Sequence, residues 1–343
     1  MAKAESQAVP MVSVLLPVRD AQATLPECLA SLAAQTLTDY EVVAVDDGSR
    51  DASRRLLEQA ARRDHRLRVL GTAAQGLVAA LNAGLALARA PLLARMDADD
   101  VAHPERLARQ AERLARDPAL SVLGCAVAML GHPGHANAGM QAYVAWQNGL
   151  VDHAAIERDL WVESPLVHPS VMLRSAALRG VGGYRDCGGP EDYELWLRGY
   201  AAGWRFAKLR ETLLQWRDTP GRLTRVDPRY APERFRAVKL GALARGPLAG
   251  GREAVLWGAG RIGKAWSRAL RAAGHRVAAF VEVDPARVGG RLHDAPVVGV
   301  AGAASFRGPL HLAAVGQPGA RERIRKAAGD LGFLEGRDLL AVA

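Results

Sequence analysis

The sequence predicts an α/β protein built around a doubly wound, largely parallel sheet. Short apolar runs rich in Val and Leu alternate with segments of helical periodicity through the first hundred residues. These runs are apolar throughout, which is typical of strands that helices cover on both faces. The same alternation of strand and helix restarts after residue 250, so we expect a second and smaller α/β domain.

The composition is that of a globular protein with enough residues for two cores. Of 343 residues, 49% are hydrophobic and 24% are charged. No apolar run approaches the roughly 20 residues that span a bilayer, and residues 1–10 lack the basic start and apolar middle of a secretory signal. We therefore expect a cytoplasmic protein, with a peripheral contact at the inner face of the membrane left open.

The formal charge of +9 comes mostly from arginines scattered through alanine-rich segments. No dense basic cluster interleaved with aromatic residues is present in the sequence, so the pattern does not predict a nucleic-acid-binding protein. It fits a phosphate-bearing substrate or an anionic membrane surface. Cys28, Cys125 and Cys187 lie far apart and form no CxxC pair, which argues against a disulfide framework and against a thiolate zinc site.

The first hundred residues predict four strands separated by three helices. The predicted elements are strand 12–16, helix 21–35, strand 41–45, helix 51–63, strand 67–70, helix 76–89 and strand 92–96. In parallel sheets of this kind, ligands bind beyond the carboxyl ends of the strands. The second and fourth strands run directly into acidic residues, and we expect those acids to face one crevice.

The acidic residues at these two strand ends suggest a metal site. Asp46 and Asp47 follow the second strand, while Asp97, Asp99 and Asp100 follow the fourth. In an extended segment, Asp97 and Asp99 would point one way and Asp100 the other. Carboxylate oxygens are the ligands that hard divalent cations prefer. An acidic turn before a helix is the alternative, because Asp is also favoured in turns and at helix N-caps.

A series of motifs follows one order along residues 10–220. The motifs are LPVRD at 16–20, VDDGSRD at 45–51, ALNAG at 80–84, ARMDADD at 94–100, HPSVM at 168–172, and GGY at 182–184 followed by EDYELWLR at 191–198. In this order the chain resembles the family 2 glycosyltransferases. Members of that family have the GT-A fold and transfer a sugar from a nucleotide diphosphate donor to an acceptor, with inversion at the anomeric carbon.

The resemblance implies a nucleoside site and a diphosphate site. The loop at Pro17 and the pair Asp46 and Asp47 would hold the nucleobase and ribose of a nucleotide-sugar, since charged acceptors make the stronger hydrogen bonds. His168 matches a family position near the metal and the diphosphate, although a structural histidine explains it equally well. A turn leading into a helix is the simpler explanation of Asp47, and both can hold together.

Asp97-Ala98-Asp99 is similar to the DxD motif of the family. The resemblance implies that Asp99 is the most direct ligand of Mg²⁺ or Mn²⁺, that Asp97 lies nearer the ribose, and that Asp100 shares either role. The cation would stabilise the negative charge that develops on the leaving diphosphate.

Asp192 stands where the Glu-Asp motif of the family places the catalytic base. Inversion requires a base opposite the leaving group, to accept the proton of the acceptor hydroxyl. Glu191 would orient the helix start or bind an acceptor hydroxyl. The alternative is structural, because acidic residues favour helix N-termini through the helix dipole alone. We expect Trp196, one turn further along, to pack in the core.

The C-terminal part of the first region resembles non-processive members. Residues 213–217 followed by Arg222-Leu223-Thr224 are similar to a Tyr-Arg…Ser ending, with Trp216 in place of Tyr. The Gln-x-x-Arg-Trp motif of processive synthases is not apparent. The resemblance therefore implies single transfers to a glycan or lipid-linked acceptor.

A glycine-rich turn marks the second domain. Gly258, Gly260 and Gly263 form a GxGxxG motif between a predicted strand 254–257 and a helix to residue 273, and Glu282 ends the next strand at 277–283. Such a turn brings the backbone close to a phosphate at a helix N-terminus. The region resembles the small Rossmann-like domains of sugar acyltransferases. Binding of a mononucleotide, binding of NAD and a purely structural role all stay open.

The sequence thus predicts a GT-A domain over 1–226, a helical linker over 227–251 and a Rossmann-like domain over 252–343. The leading hypothesis is an inverting, metal-dependent glycosyltransferase with a nucleotide-sugar donor. One alternative is an NAD-dependent oxidoreductase on a sugar nucleotide, led by the C-terminal domain, which is short for that role. Another is a non-catalytic nucleotide-sugar-binding protein, against which the paired acids argue.

Overall fold

The computed structural model describes residues 9–131, 138–219 and 221–343. Most of the N-terminal stretch that argues against a secretory signal lies outside these residues. The chain forms two compact units that interleave along the sequence. Unit 1 comprises the chain up to His153 together with Leu166–Asp186 and Ala202–Val226, and unit 2 comprises Ala154–Pro165, Cys187–Ala201 and Asp227–Ala343. The domain boundaries at residues 226 and 251 stay a prediction.

The helices and strands follow the predicted order. The strands are β1 Val12–Val18, β2 Tyr40–Asp47, β3 Leu67–Thr72, β4 Leu92–Arg95, β5 Val101–Ala102, β6 Leu120–Leu130, β7 Met172–Arg174, β8 Arg205–Arg217, β9 Ala254–Trp257, β10 Val277–Val281, β11 Arg291–Leu292, β12 Ala295–Val298, β13 Leu310–Ala313 and β14 Leu339–Ala341. The helices are α1 Leu25–Ala33, α2 Ser53–Ala61, α3 Leu77–Leu87, α4 Arg106–Arg116, α5 Ala138–Gly149, α6 His153–Asp159, α7 Ser175–Gly180, α8 Glu191–Ala201, α9 Leu223–Val226, α10 Pro232–Arg245, α11 Arg261–Ala272 and α12 Ala320–Asp330. Across the described ranges, none of these helices combines the length and apolarity that crossing a membrane requires.

Unit 1 is organised around a mixed sheet. Its strand order is β3-β2-β1-β4-β7-β6-β8-β5. Strands β1 to β4 run parallel to one another, β7 is antiparallel to both β4 and β6, and β8 runs parallel to β6. The predicted doubly wound sheet is confirmed. Because β2 and β4 flank β1 and run parallel to it, the acids that end β2 and the acids that follow β4 reach the same edge of the sheet.

Both faces of this sheet are buried, which explains its continuous apolar strands. On β2, Val42 and Ala44 contribute to a large core that also contains Leu25 of α1. The residues that alternate with them, Val43 and Val45, belong to a second cluster with Ala80 of α3. Side chains of successive residues point to opposite faces of a strand, so a strand covered by helices on both sides has to be apolar at every position.

Unit 2 contains the second predicted sheet. Its strand order is β11-β12-β10-β9-β13-β14, and its strands are parallel except for the β11–β12 pair. The predicted strand 254–257 is confirmed by β9, and β10 stops at Val281, two residues before the predicted end. Helix α8 packs against α10 in the same unit, and the rings of Tyr193 and Phe235 lie 5.8 Å apart.

Candidate active site

Three carboxylates converge immediately after β4. Asp97, Asp99 and Asp100 each offer one oxygen atom, and these atoms lie within 4.8 Å of one another. The prediction that Asp100 points away from the other two is wrong, because β4 ends at Arg95 and the acids occupy a turn rather than a strand. The backbone N–H of Asp100 donates to the carbonyl of Asp97 across this turn (3.3 Å).

Two arginines hold the acidic turn in place. The guanidinium of Arg95 forms an ion pair with Asp97. From β8, the backbone N–H of Arg217 donates to Asp100 Oδ1 at 2.8 Å, and its side-chain Nε donates to the carbonyl of Asp99 at 2.7 Å. The turn therefore depends on a residue more than a hundred positions away in the sequence.

The acidic turn carries more negative charge than its protein neighbours compensate. Burial and the nearby Asp97 raise the pKa of Asp99 to about 6, and burial with the same neighbour raises the pKa of Asp100 well above its usual range. Asp100 is 1% exposed, and its Oδ2 has no hydrogen-bond partner among the described residues. An unpartnered buried carboxylate oxygen beside two further acids fits Mg²⁺ or Mn²⁺, which prefer oxygen ligands.

Sequence reasoning missed Arg106 and gave Arg222, which it placed in the Tyr-Arg…Ser-like ending, no role at this turn. Arg106 is fully buried, and its Nη2 donates to the carbonyl of Arg95 at 2.7 Å. The guanidinium carbon of Arg222 lies 3.7 Å from the centroid of the Trp216 ring. Burial and Asp97 raise the pKa of Asp99, and the positive charge of Arg222 partly offsets that rise. Nothing in the sequence distinguishes Arg106 from the many other arginines.

The two acids that end β2 differ in what they contact. The carboxylate of Asp47 accepts from the backbone N–H groups of Gln75 (2.7 Å) and Gly76 (2.9 Å), and it pairs with Arg19 at 3.3 Å. Asp46 is 5% exposed, and its Oδ1 has no hydrogen-bond partner in the described part of the chain. Asp47 thus fixes the loop before α3, while the Oδ1 atom of Asp46 remains available to accept a hydrogen bond from a ligand. On β1, Pro17 lies opposite Val45, the residue before Asp46.

His168 joins three of the sequence motifs. It lies in a short 3₁₀ turn, is buried, and its Nε2 is 3.1 Å from the hydroxyl of Tyr184. The backbone N–H of Tyr184 in turn donates to Asn82 Oδ1 at 3.0 Å. Gly183, which directly precedes Tyr184, has a φ of +71°, and a Cβ there would lie 2.7 Å from Asn82 Oδ1. The GGY, HPS and ALNAG motifs therefore meet, and their spacing depends on a glycine.

In unit 2, Asp192 lies in the first turn of α8. Its Oδ1 accepts from the backbone N–H of Tyr193 (2.7 Å), and Ser164 Oγ donates to its Oδ2 (3.3 Å). The side chain is partly exposed. Burial of the carboxyl and the neighbouring Glu191 raise the pKa of Asp192 to about 8. A carboxyl with a pKa near neutral pH can accept and release protons under physiological conditions.

The neighbours of Asp192 on α8 have structural contacts. Glu191 is 2% exposed and accepts a hydrogen bond from the hydroxyl of Tyr230 at 2.8 Å. This contact explains how a second carboxylate can be buried next to Asp192. Trp196 is fully buried, which confirms the prediction that it packs in the core.

The glycine-rich turn of the C-terminal sheet has the predicted strand–turn–helix context. Gly258 has a φ of +105°, and a Cβ on Gly263 would lie 1.9 Å from the carbonyl of Gly258, so these two glycines are required by packing alone. Gly260 faces open space. Glu282 accepts from the backbone N–H groups of Ala259 (3.1 Å) and Val283 (2.9 Å). The acid that the motif assigns to a ribose therefore also closes the glycine turn.

The structure thus groups the predicted residues into separate sets. Asp97, Asp99 and Asp100 meet in unit 1, where Asp46 and Asp47 reach the same sheet edge. Glu191 and Asp192 belong to unit 2, as do the glycine turn and Glu282. The prediction that Asp99 and Asp192 face a common substrate stays a prediction.

Comparison with known proteins identifies the family. The model of "Glycosyl transferase family 2" matches residues 13–181. The amylovoran biosynthesis glycosyltransferase AmsE of Erwinia amylovora is 31% identical over 210 residues, covering 60% of this chain and 75% of AmsE. The putative glycosyltransferase EpsE of Bacillus subtilis (strain 168) is 29% identical over 214 residues, covering 61% of this chain and 73% of EpsE. Two further B. subtilis relatives, EpsJ and EpsH, match over only 34% and 28% of their own length.

A solved structure confirms the fold of the first region. The fragment 1–349 of S. aureus TarS in complex with UDP-GlcNAc superposes with a TM-score of 0.54 and 20% identity, covering 68% of this chain and 66% of that fragment. At this identity the likeness establishes the GT-A fold. The family match and the AmsE alignment show that the chain belongs to glycosyl transferase family 2 and is a glycosyltransferase.

Proposed function

We propose that this chain is a metal-dependent, inverting and non-processive glycosyltransferase that uses a nucleotide diphosphate sugar. The observation that carries the proposal is the acidic turn, where three carboxylate oxygens lie within 4.8 Å and Asp100 Oδ2 is buried without a hydrogen-bond partner among the described residues. Such a set is suited to a divalent cation, and a cation is what a departing diphosphate needs.

The donor half of the reaction belongs to unit 1. Asp99 and Asp97 would hold Mg²⁺ or Mn²⁺ with Asp100 beside them, and the bound cation would neutralise charge on the diphosphate. Asp46 keeps an unpartnered buried oxygen that can accept from a base or ribose. Asp47 keeps the adjoining loop closed through Gln75 and Gly76.

Two further side chains fit the diphosphate. Arg222 presents a planar guanidinium whose carbon lies over the Trp216 ring, and one of its nitrogens, Nη1, is buried with no hydrogen-bond partner in the described residues. Arginine suits phosphate recognition because its N–H groups match two oxygens at once. His168, held by Tyr184, is the second candidate for a phosphate oxygen.

Asp192 is the proposed base. Its carboxylate would accept the proton of the acceptor hydroxyl while the new bond from that oxygen to the anomeric carbon forms. The bond between the anomeric carbon and the phosphate oxygen breaks at the same time, and the nucleoside diphosphate leaves with that electron pair. Ser164 and the Tyr193 N–H orient the carboxylate, while burial and then Glu191 raise its pKa to about 8.

The names of the relatives support a role in building polysaccharides. AmsE is described as an amylovoran biosynthesis glycosyltransferase, and we propose that this chain likewise extends a glycan or a lipid-linked glycan. Peripheral contact with an anionic membrane surface would suit a lipid-linked acceptor, and the formal charge of +9 favours such contact.

The test is a panel of UDP-, GDP- and dTDP-sugars with Mn²⁺, in which release of the nucleoside diphosphate is measured with and without glycan acceptors. The proposal expects one donor to be consumed, with loss of turnover in Asp99→Asn and in Asp192→Asn. Turnover that survives both substitutions would contradict it.

For the glycine turn of the C-terminal sheet we propose nucleotide binding as a secondary function. The open space beside Gly260 leaves room for a phosphate at the start of α11. Gly260 has a φ of −79°, so Gly260→Val fills this space without straining the backbone. Calorimetric titration with UDP and with NAD⁺ should show binding by the unmodified protein and none by the variant. Absence of binding by both would indicate a packing domain.

A further inference from the structure

We propose that the C-terminal domain supports the acceptor half of the active site, and that Lys239 and Arg325 are positioning residues for the base Asp192. The inference rests on the proposed function, since it presumes that Asp192 is the base. It assigns to the second domain a role that does not depend on a ligand of its own. All the contacts that carry it lie within unit 2.

The residues that steady Asp192 lie on one stretch, residues 157–164, which we call the support segment. Ser164 Oγ donates to the Asp192 carboxylate at 3.3 Å. Four residues earlier, the carbonyl of Leu160 accepts from the hydroxyl of Tyr193, the residue after Asp192, at 2.7 Å. The orientation of the Asp192 side chain therefore depends on where the support segment lies.

Lys239 ties the support segment to Val342, the residue that follows β14, the last strand of the C-terminal domain. Its ammonium group donates to the carbonyl of Val162 at 2.5 Å and to the carbonyl of Val342 at 3.1 Å. Lys239 lies on α10 and is only 5% exposed. Burial lowers the pKa of Lys239 to about 8. The negative charge of Glu163 on the support segment acts in the other direction and raises it. A buried ammonium is unfavourable unless its hydrogen bonds are made, so this position is specified by those two carbonyls.

A second tie starts from α12. The guanidinium of Arg325 donates to Asp159 Oδ1 at 2.5 Å and to Glu335 Oε1 at 2.5 Å. The side chain of Asp159 is 4% exposed and that of Arg325 is 14% exposed. This is a shielded, charge-assisted contact rather than a surface ion pair. Such contacts hold their two partners in a more specific geometry than exposed ion pairs do. Asp159 stands at the end of α6, immediately before Leu160.

The two ties reach the support segment on either side of Leu160. If they only added stability, a folded variant lacking one of them would turn over normally. If they position Asp192, the folded variant would bind the donor normally and react slowly, because small errors in the placement of a catalytic group reduce rate far more than affinity. The split between turnover and donor affinity therefore distinguishes positioning from stability.

The experiment compares Lys239→Met with Lys326→Met in the full chain. Lys326 is a matched control because it also comes from unit 2, but its side chain is 77% exposed and pairs with Asp330. Mn²⁺-dependent affinity for UDP and GDP is measured by calorimetry, and hydrolysis of UDP-GlcNAc and GDP-mannose by release of the nucleoside diphosphate. Circular dichroism and a thermal melt confirm that each variant is folded.

We expect Lys239→Met to lower kcat about 10- to 100-fold, with the affinity for UDP or GDP changed less than twofold and Lys326→Met unaffected. Arg325→Gln provides the second variant if Lys239→Met does not fold, with the same expected split. Normal kcat in a folded variant, or an equal loss of donor affinity, would overturn the inference. If Asp192→Asn also retains normal kcat, the proposed function itself fails, and the two failures are thereby distinguished.

Discussion

The two acidic sites of this protein are built on different principles. In unit 1, the acidic turn crowds three carboxylates together and surrounds them with arginines, of which Arg95 pairs directly with Asp97. In unit 2, Asp192 is held by a hydroxyl and a backbone N–H. Among charged groups, another acid, Glu191, has the largest effect on its pKa. The first arrangement suits a cation. The second suits a group that gains and loses a proton.

The comparison also shows how each site obtains its geometry. The acidic turn is mostly local, since four consecutive residues provide all its carboxylates, with Arg217 adding one distant brace. The environment of Asp192 comes from segments far apart in the sequence, because the support segment and α10 are separated by more than sixty residues. A short motif can therefore predict the first site, whereas the second depends on tertiary structure.

The largest expected effect tests the proton acceptor. Asp192→Asn keeps the size of the side chain and the contact with Ser164 but removes its basicity, so we expect kcat to fall about 10²- to 10⁴-fold. Steady-state kinetics with the active donor measures this fall. Glu194→Gln, on the same helix and paired with Arg198, is the control and should keep its rate within a few fold. A kcat near normal in Asp192→Asn would exclude this residue as the base.

A smaller loss is expected from the acidic turn. Asp99→Asn removes one charge and one strong ligand, and we expect a fall of about 10²- to 10³-fold in turnover, since loss of one electrostatic stabiliser of a transition state has that size. Excess Mn²⁺ should recover part of the rate, because the loss comes in part from weaker metal binding. Recovery should be absent in Asp192→Asn. If excess Mn²⁺ restored turnover in Asp192→Asn and not in Asp99→Asn, the assignment of metal binding to the acidic turn would be wrong.

The pH dependence of turnover separates the two sites further. Because the pKa of Asp192 is raised to about 8, its basic form increases as pH rises, and kcat/KM should rise through this range before levelling. The sign for stability is opposite. A carboxyl whose pKa is raised by folding stabilises the protein while protonated, so the free energy of unfolding should decrease as pH rises from about 4 towards 8. A kcat/KM that is flat between pH 6 and 9 would contradict this assignment.

Glu191→Gln should shift that profile without abolishing activity. The negative charge of Glu191 raises the pKa of Asp192, second only to burial. Its removal should therefore move the rising limb of kcat/KM to lower pH, while the glutamine keeps a hydrogen bond with Tyr230. Tyr230→Phe leaves the charge in place and should not move the limb in that direction. A shift to higher pH in Glu191→Gln would show that Glu191 acts by something other than its charge.

The smallest expected effect concerns the packing next to the unit 1 site. Gly183→Ala places a Cβ 2.7 Å from Asn82 Oδ1 at a φ of +71°, and we expect the free energy of unfolding to fall by about 1–3 kcal/mol. Gly180→Ala is the control, since a Cβ there meets nothing within 4 Å. Urea denaturation measures both. Equal stability of the two variants would show that the GGY turn tolerates a side chain.

Much of the fold follows directly from the sequence, because its strands are apolar at every position and end in recognisable turns. The same reading misplaced Asp100, since no apolar pattern shows that β4 stops at Arg95 rather than continuing through the acids. It treated Asp46 and Asp47 as equivalent, although only Asp47 is engaged by the loop before α3.

Tertiary contacts account for what the sequence could not predict. The meeting of His168, Tyr184 and Asn82 joins residues up to 102 positions apart, and none of their three motifs indicates that they contact one another. Lys239 is a single lysine on a helix whose partners are two backbone carbonyls. Every residue type has a backbone carbonyl, so the sequence does not show which lysine is buried against such partners. Only the folded structure identifies a buried cation of this kind.

The most direct test of the division between the two sites is calorimetric titration of Mn²⁺ with UDP or GDP into three proteins side by side: unmodified, Asp99→Asn and Asp192→Asn. We predict that Asp192→Asn binds the metal–nucleotide pair as the unmodified protein does, while Asp99→Asn binds it at least tenfold more weakly. Equal weakening in both variants, or in Asp192→Asn alone, would contradict the assignment of cation binding to the acidic turn and proton transfer to Asp192.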